Sequence, residues 1–210
     1  MLIAGVDEAG KGPVIGSMMI AGVAIDKDRM PELTRLGIKD SKLLTPIRRN
    51  YLAVKIKEVA KSFYVLEVSA RQIDEFRKIM TMNQLMVICH AKVLRELKPD
   101  KAYLDAADVK EERFGREVKK KYGSSIEIIA KHKADTKYPL VAAASILAKT
   151  SRDRSVRELE KDIGVVLGSG YPSDPKTKKF LSKWFKEHNS FPDSVRHSWK
   201  TVENIRSQVI

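Results

Sequence analysis

The chain has 210 residues, 43% of them hydrophobic, enough apolar material for one sizeable core and too much for whole-chain disorder. Lys plus Arg number 40 against 27 Asp plus Glu, and the formal net charge of +13 points to a polyanionic partner. The one cysteine, Cys89, excludes an intramolecular disulfide and a Cys-rich zinc site, while the longest apolar runs, Ile15–Ile25 and Pro139–Ala148, are too short to cross a bilayer; a soluble, cytoplasmic protein is expected.

In chain order, Leu2–Asp7 is apolar and ends on carboxylates, the pattern of a buried strand. Ile15–Ile25 reads as a neighbouring strand, joined to the first by a glycine turn through Gly10, Gly12, Pro13 and Gly16. Thr45 and Pro46 supply the N-cap and first position of a helix in which Leu52, Ile56, Val59 and Ala60 share one face. Phe63–Val68 is the next strand, and residues 70–79 and 82–97 are helical. Ala102–Asp105 is a short strand that again ends on a carboxylate. Val109–Lys121 follows as a helix, Ile126–Ala130 as a strand and Pro139–Ile163 as a long helix. The first half of that helix carries Val141, Ala142, Ala144, Ser145 and Ala148, which suits close packing on a sheet. After Gly168-Ser-Gly-Tyr-Pro172 come two amphipathic patterns, at 174–187 and 200–208, and no strand.

This order predicts an α/β protein: a mixed sheet flanked by helices in residues 1–170, and a small helical lobe in residues 171–210. The positive charge is not carried on a tail. Its richest stretches, Lys110–Lys133 and residues 171–210, hold +4 each, so any basic surface has to be assembled by folding.

Four carboxylates stand at strand ends. Asp7 and Glu8 close the first strand, Asp105 closes the fourth, and Asp135 follows the fifth in a polar turn. Singly, each reads as an N-cap or turn former. Together they lie where the strands of one sheet converge, and like charges held close cannot all stay ionised unaided. An all-oxygen donor set favours Mg²⁺ or Mn²⁺ over structural zinc. Two such ions roughly 3.5–4 Å apart activate water and stabilise a leaving oxygen in phosphodiester cleavage. A P-loop is excluded, although Gly5-Val-Asp-Glu-Ala-Gly10-Lys11 begins like one. Gly12 stands where Ser or Thr is required, two carboxylates lie inside the phosphate cradle, and Pro13 leads into a strand instead of a helix.

Several segments now resemble the ribonuclease HII family. They are Gly5-Val-Asp-Glu-Ala-Gly-Lys-Gly-Pro13, Lys39-Asp-Ser-Lys-Leu43, Tyr103-Leu-Asp-Ala106 and Lys131-His-Lys-Ala-Asp135. The series continues with Ala142-Ala-Ala-Ser-Ile-Leu-Ala-Lys149, Arg152-Asp153, Gly168-Ser-Gly-Tyr-Pro-Ser-Asp-Pro175 and Ser198-Trp-Lys-Thr201, in family order over nearly the whole chain. The Lys in Gly-Lys-Gly and the absence of long extensions look like the archaeal branch.

The resemblance implies an RNase H-like fold and endonucleolytic cleavage of RNA in RNA/DNA hybrids. It also implies incision of duplex DNA at an embedded ribonucleotide, with 3′-hydroxyl and 5′-phosphate ends. It makes Asp7, Glu8, Asp105 and Asp135 the catalytic, metal-binding carboxylates, each site taking two Mg²⁺ or Mn²⁺ ions. It places Gly10, Lys11 and Gly12 at the ribose 2′-hydroxyl, the group that separates RNA from DNA. It implies that Tyr171 stacks on the following sugar and that Ser41, Lys42 and Arg152 contact substrate. Lys11 departs from the more frequent Arg and grips phosphate as a point charge, without a bidentate fork. The family's sliding-clamp box has no counterpart in Gln208-Val-Ile210, so clamp binding is not expected, and the protein is expected to act as a monomer.

Other residues read as structure. Met18, Met19, Met80, Met82 and Met86 belong to the core, His90 and His188 are structural or exposed, and Trp184 and Trp199 pack the C-terminal lobe against the sheet domain. Two other readings remain open on the residues alone: a sensor that binds hybrids without cutting, and a DNA-junction nuclease on a related fold.

Overall fold

The computed structural model describes residues 1–38 and 44–209. Five strands form one sheet: β1 (Leu2–Ala9), β2 (Met18–Asp26), β3 (Ser62–Val68), β4 (Lys101–Asp105) and β5 (Glu127–Lys131), in the order β3-β2-β1-β4-β5. Between and after them come α1 (Met30–Arg35), α2 (Pro46–Val59), α3 (Ala70–Arg77), α4 (Met82–Leu97), α5 (Glu111–Tyr122), α6 (Ala134–Lys137), α7 (Pro139–Ile163), α8 (Pro175–His188) and α9 (Lys200–Val209). β1 runs antiparallel to β2 and parallel to β4, and β4 runs parallel to β5, so the sheet is mixed as the sequence predicts.

Local chemistry sets several helix starts. Thr45 accepts from the Arg48 N–H ahead of Pro46, and Ser69 and Gln72 close a capping box on α3. Two elements depart from expectation. β1 runs through Asp7 and Glu8 to Ala9, so both acids lie inside the strand. β2 starts at Met18 instead of Ile15, because Ile15 makes an isolated bridge to Val195. The sequence reading also passed over α1, whose signal is Pro31 in its first turn and the fully buried Leu33.

Two glycines decide how helices cover the sheet. Gly5 pairs with Val23 and Val6 pairs with Gly22, so Gly5 and Gly22 face opposite sides. A Cβ on Gly5 would stand 2.3 Å from the Leu140 carbonyl carbon and 2.5 Å from the Val141 nitrogen, so the α7 backbone lies directly on β1. A Cβ on Gly22 would stand 2.5 Å from Val93 Cγ1 and 2.6 Å from Leu97 Cδ1 on α4. Helices α7 and α4 therefore sandwich the sheet. The core on the α7 side joins Ile3, Ala21, Val23 and Ile25 to Leu52 and Ile56 of α2 and to Leu140, Ala144 and Leu147 of α7.

The chain divides into two compact units. The first is Met1–Ala9, Met19–Leu66 and Met82–Ser151; the second is Gly10–Met18, Glu67–Thr81 and Arg152–Ile210. The boundary expected at residue 170 falls inside the second unit, which also takes in the Gly10–Met18 segment. Val14, Ile15, Leu167, Phe180, Leu181, Phe185, Phe191, Val195, Val202 and Ile205 form that unit's own core. Among the described residues no helix is long and apolar enough to cross a membrane.

Asp174, ahead of Pro175, caps α8: its carboxylate accepts from the Ser169 N–H at 2.7 Å and the Lys176 N–H at 2.8 Å. Those bonds hold its pKa down at about 2, against an ordinary 3.8.

The two glycines differ in what a methyl group would meet. Gly5→Ala drives into backbone and should cost about 3 kcal/mol, whereas Gly22→Ala meets rotatable side-chain ends and should cost about 1 kcal/mol, read as shifts in the urea midpoint at pH 7. Asp174→Asn should lower the melting temperature at neutral pH. The deficit should fade as pH falls from about 4 toward about 2, where the native carboxylate also takes up its proton.

Candidate active site

Strand register forces two carboxylates together. β1 and β4 pair in parallel from Ile3↔Lys101 to Val6↔Leu104, so Asp7 and Asp105 occupy the next rung, on the same face. Adjacent strands lie about 4.8 Å apart, which leaves the two side chains no room to avoid each other. Asp105 pairs in turn with Lys131 at the end of β5. The chain then turns through Lys133, at φ 52°, into α6, and Asp135 sits in the first turn of that helix. The Ala134 N–H donates to Asp105 Oδ1 at 2.7 Å.

Glu8 has the opposite parity on β1. Its Oε2 lies 3.8 Å from Nε2 of His90, a fully buried residue of α4 whose Nδ1 is 2.9 Å from the Met86 carbonyl oxygen. Even so, one ligand atom from each of Asp7, Glu8 and Asp105 falls within 4.8 Å of the others. Asp135 acts on the same centre through its charge on Asp7.

Asp7 is under electrostatic strain. It is 5% exposed, and its pKa is pushed up to about 7, first by burial and then by the charge of Asp105. The Ser145 hydroxyl on α7 and the Glu8 N–H, at 2.7 Å from Oδ1, donate to it and offset part of that rise. Three hard oxygen donors at this spacing, one of them reluctant to ionise alone, fit a divalent cation of the Mg²⁺ or Mn²⁺ type.

The second unit holds Gly10, Lys11, Gly12, Arg152 and Tyr171. The ring edge of Tyr171 lies 3.4 Å from where a Cβ on Gly12 would sit, so glycine lets the ring rest against the loop. Tyr171 is 41% exposed, and the Arg152 guanidinium carbon lies 5.6 Å from its ring centroid. Arg152 also donates from Nη2 to the Ser169 carbonyl at 2.5 Å, so it supports the tyrosine loop from within the unit. Gly10 and Lys11 lie in the loop that precedes β2, whereas Ser41 and Lys42 lie outside the described residues.

Sequence reasoning missed Ser145, His90, Arg196 and Trp199 as site neighbours. Ser145 left a signal, as the one hydroxyl in the buried run Leu140–Ala148. Arg196 left none: it is fully buried and bonds to carbonyls 180 and 186 positions away in sequence.

The family model described as ribonuclease HII matches residues 4–202. A curated ribonuclease HII from Methanosarcina barkeri is 57% identical over 217 positions, spanning 100% of this chain and 97% of its own. Among solved structures, the ribonuclease H2 from Pyrococcus horikoshii OT3 superposes with a TM-score of 0.94 at 42% identity, covering 100% of this chain and 99% of that one. The ribonuclease HII in the PCNA:RNase HII complex from Archaeoglobus fulgidus gives 0.87 at 45% identity, covering 95% and 96%. A mixed five-stranded sheet with an acidic centre at the ends of its parallel strands makes this an endoribonuclease of the RNase H-like fold. Within that class, the chain belongs to the ribonuclease HII family.

Replacing Asp7 separates its cost to the fold from its use. Asp7→Asn keeps an oxygen that can accept from Ser145 but removes the buried charge. In metal-free buffer at pH 8 it should be more stable than the parent by about 1–3 kcal/mol in thermal or urea unfolding. The gap should close as pH falls toward 4, where the carboxyl is protonated in folded and unfolded chains alike. The variant should also gain less stability than the parent when Mn²⁺ is added.

Proposed function

We propose that this endoribonuclease cuts the RNA strand of RNA/DNA hybrids and incises duplex DNA at a single embedded ribonucleotide, leaving 3′-hydroxyl and 5′-phosphate ends. The observation that carries the reading is the convergence of Asp7, Glu8 and Asp105 within 4.8 Å, with Asp135 acting on the same centre. Asp7, Glu8, Asp105 and Asp135 hold the divalent ions, Mg²⁺ or Mn²⁺, two to a site. When bound, such ions supply Lewis-acid activation of water and charge stabilisation at the leaving oxygen.

The chain's own groups do the rest. Ser145 and the Glu8 N–H fix the Asp7 carboxylate, and the Ala134 N–H fixes Asp105, so the acids are oriented before any ligand arrives. Gly10, Lys11 and Gly12 approach the ribose, and the half-exposed ring of Tyr171 is free on one side to stack against a sugar. The residues at 171–210, with their surplus of Lys, contact the phosphate backbone, as does the Lys110–Lys133 stretch, and the enzyme works as a monomer. The Archaeoglobus fulgidus relative is described in complex with PCNA; for this chain, the duplex is the partner its charge supports.

One substrate set tests the reading: a DNA duplex with a single ribonucleotide, a full hybrid and an all-DNA duplex, each with Mg²⁺, Mn²⁺ or EDTA. Incision at the ribonucleotide that EDTA stops, and that Asp7→Asn lowers by about 10³-fold or more, is the expected result. Salt-sensitive binding without product would leave a hybrid sensor, and equal cutting of all-DNA duplex would leave a junction nuclease.

A further inference from the structure

The loop from Gly10 to Gly16 turns its carbonyls inward, and the groups that capture them come from the far end of the chain. Arg196 donates from Nη2 to the carbonyls of Gly10, at 2.6 Å, and Gly16, at 2.9 Å. Its Nη1 donates to the Lys11 carbonyl at 2.9 Å and its Nε to Gly16 at 3.1 Å. The indole Nε1 of Trp199 donates to the Gly12 carbonyl at 3.1 Å, and the Arg196 guanidinium lies 4.9 Å from the Trp199 ring centroid. The backbone joins in: the Arg196 N–H donates to Val14 and the Gly16 N–H to Ser194, both at 2.8 Å.

Three successive carbonyls, those of Gly10, Lys11 and Gly12, are therefore held by two side chains of one short segment. In a trans peptide the C=O and the following N–H point in opposite directions, and the described residues contain no cis bond. With the Gly10 and Lys11 carbonyls fixed on Arg196, the N–H groups of Lys11 and Gly12 are directed to the other side of the loop. Two successive N–H groups on one side suit a single oxygen acceptor, and a buried cation behind them raises the potential there.

The choice of arginine carries its own argument. Arg196 is fully buried, burial pulls its guanidinium down to about 10, and the charge of Arg152 pulls the same way. A neutral side chain of similar volume would fill the space without this cost. It would not hold three carbonyls at once, which needs the planar fork of donors that only arginine has.

We infer that Arg196 and Trp199 are positioning residues for substrate recognition: they fix the glycine loop so that the Lys11 and Gly12 N–H groups face a sugar–phosphate oxygen of the ribonucleotide-containing strand. The inference rests on the function proposed above, because it takes the ribonucleotide-containing strand as the ligand of that loop.

The test uses Arg196→Lys, which keeps the charge and loses the fork, and Trp199→Phe, which keeps the ring and loses one donor. On the single-ribonucleotide duplex kcat/KM should fall about 30-fold or more for Arg196→Lys and about 3- to 10-fold for Trp199→Phe. Affinity for the all-DNA duplex and the melting shift produced by Mn²⁺ should stay as in the parent. In the parent, the ¹⁵N–¹H resonances of Lys11 and Gly12 should move further with the ribonucleotide duplex than with the all-DNA duplex, and Arg196→Lys should abolish that difference. Parental kcat/KM and parental amide shifts in both variants would overturn the inference. So would early melting with equal loss of affinity for both duplexes, the signature of a purely structural role. A parent enzyme that incises neither ribonucleotide substrate sinks the proposed function instead, a result read on the unsubstituted protein.

Discussion

The parallel pairing of β1 with β4 puts Asp7 on the same rung as Asp105, and much of the first unit answers that constraint. Two carboxylates on one rung, one of them buried, repel each other and resist ionisation. What tempers the repulsion comes from the backbone and from α7: the Glu8 N–H, the Ala134 N–H and the Ser145 hydroxyl. Ser145 can reach Asp7 only because α7 lies directly on β1, and α7 lies there only because Gly5 has no side chain. One missing Cβ thus connects core packing to the ionisation of Asp7.

The candidate residues for chemistry and for recognition fall in different units. The first supplies the four acids, on strand ends and one short helix whose positions follow from sheet register. The second supplies the glycine loop, Tyr171 and the groups that support them, and its loops are fixed by hydrogen bonds to polar side chains. Thr177, fully buried, donates to the Leu167 carbonyl at 2.8 Å and accepts from the Gly170 N–H at 3.0 Å, which pins the approach to Tyr171. Asp74 does the same for the segment after Arg196, accepting from the N–H groups of His197 and Ser198 and from the Ser198 hydroxyl. Sheet register places the acids, and hydrogen bonds to polar side chains place the loops that carry Gly10–Gly12 and Tyr171.

The sheet and the four acids were legible because their signals are local. Apolar runs that stop at Asp7 and Asp105, Thr45-Pro46 at a helix start, and the small residues of Pro139–Ala148 each report on neighbours within a few positions. The limits of β2 were not legible, because Ile15 has the side chain of a strand residue but finds its partner at Val195, on a segment that no local pattern connects to it. Arg196 and Trp199 were opaque for the same reason: a carbonyl acceptor leaves no mark in sequence, since every residue has one. His90 was read as structural, and its place facing Glu8 across the α4 side of the sheet depends on strand parity, which becomes fixed only once register is known.

Each unit buries one charge whose strongest charged neighbour has the same sign. For Asp7 that neighbour is Asp105, and for Arg196 it is Arg152. Neither burial is explained by stability, because an apolar side chain of similar size would avoid the desolvation cost in either place. Chemistry explains them instead: three oxygen donors at the acidic centre suit a divalent cation, and the Arg196 fork holds three carbonyls of the glycine loop at once. The surplus of +13 then describes an average over two opposed sites. A net positive chain suits attraction of a polyanion, and an acidic centre within it suits divalent cations that would offset the repulsion between the acids and that polyanion.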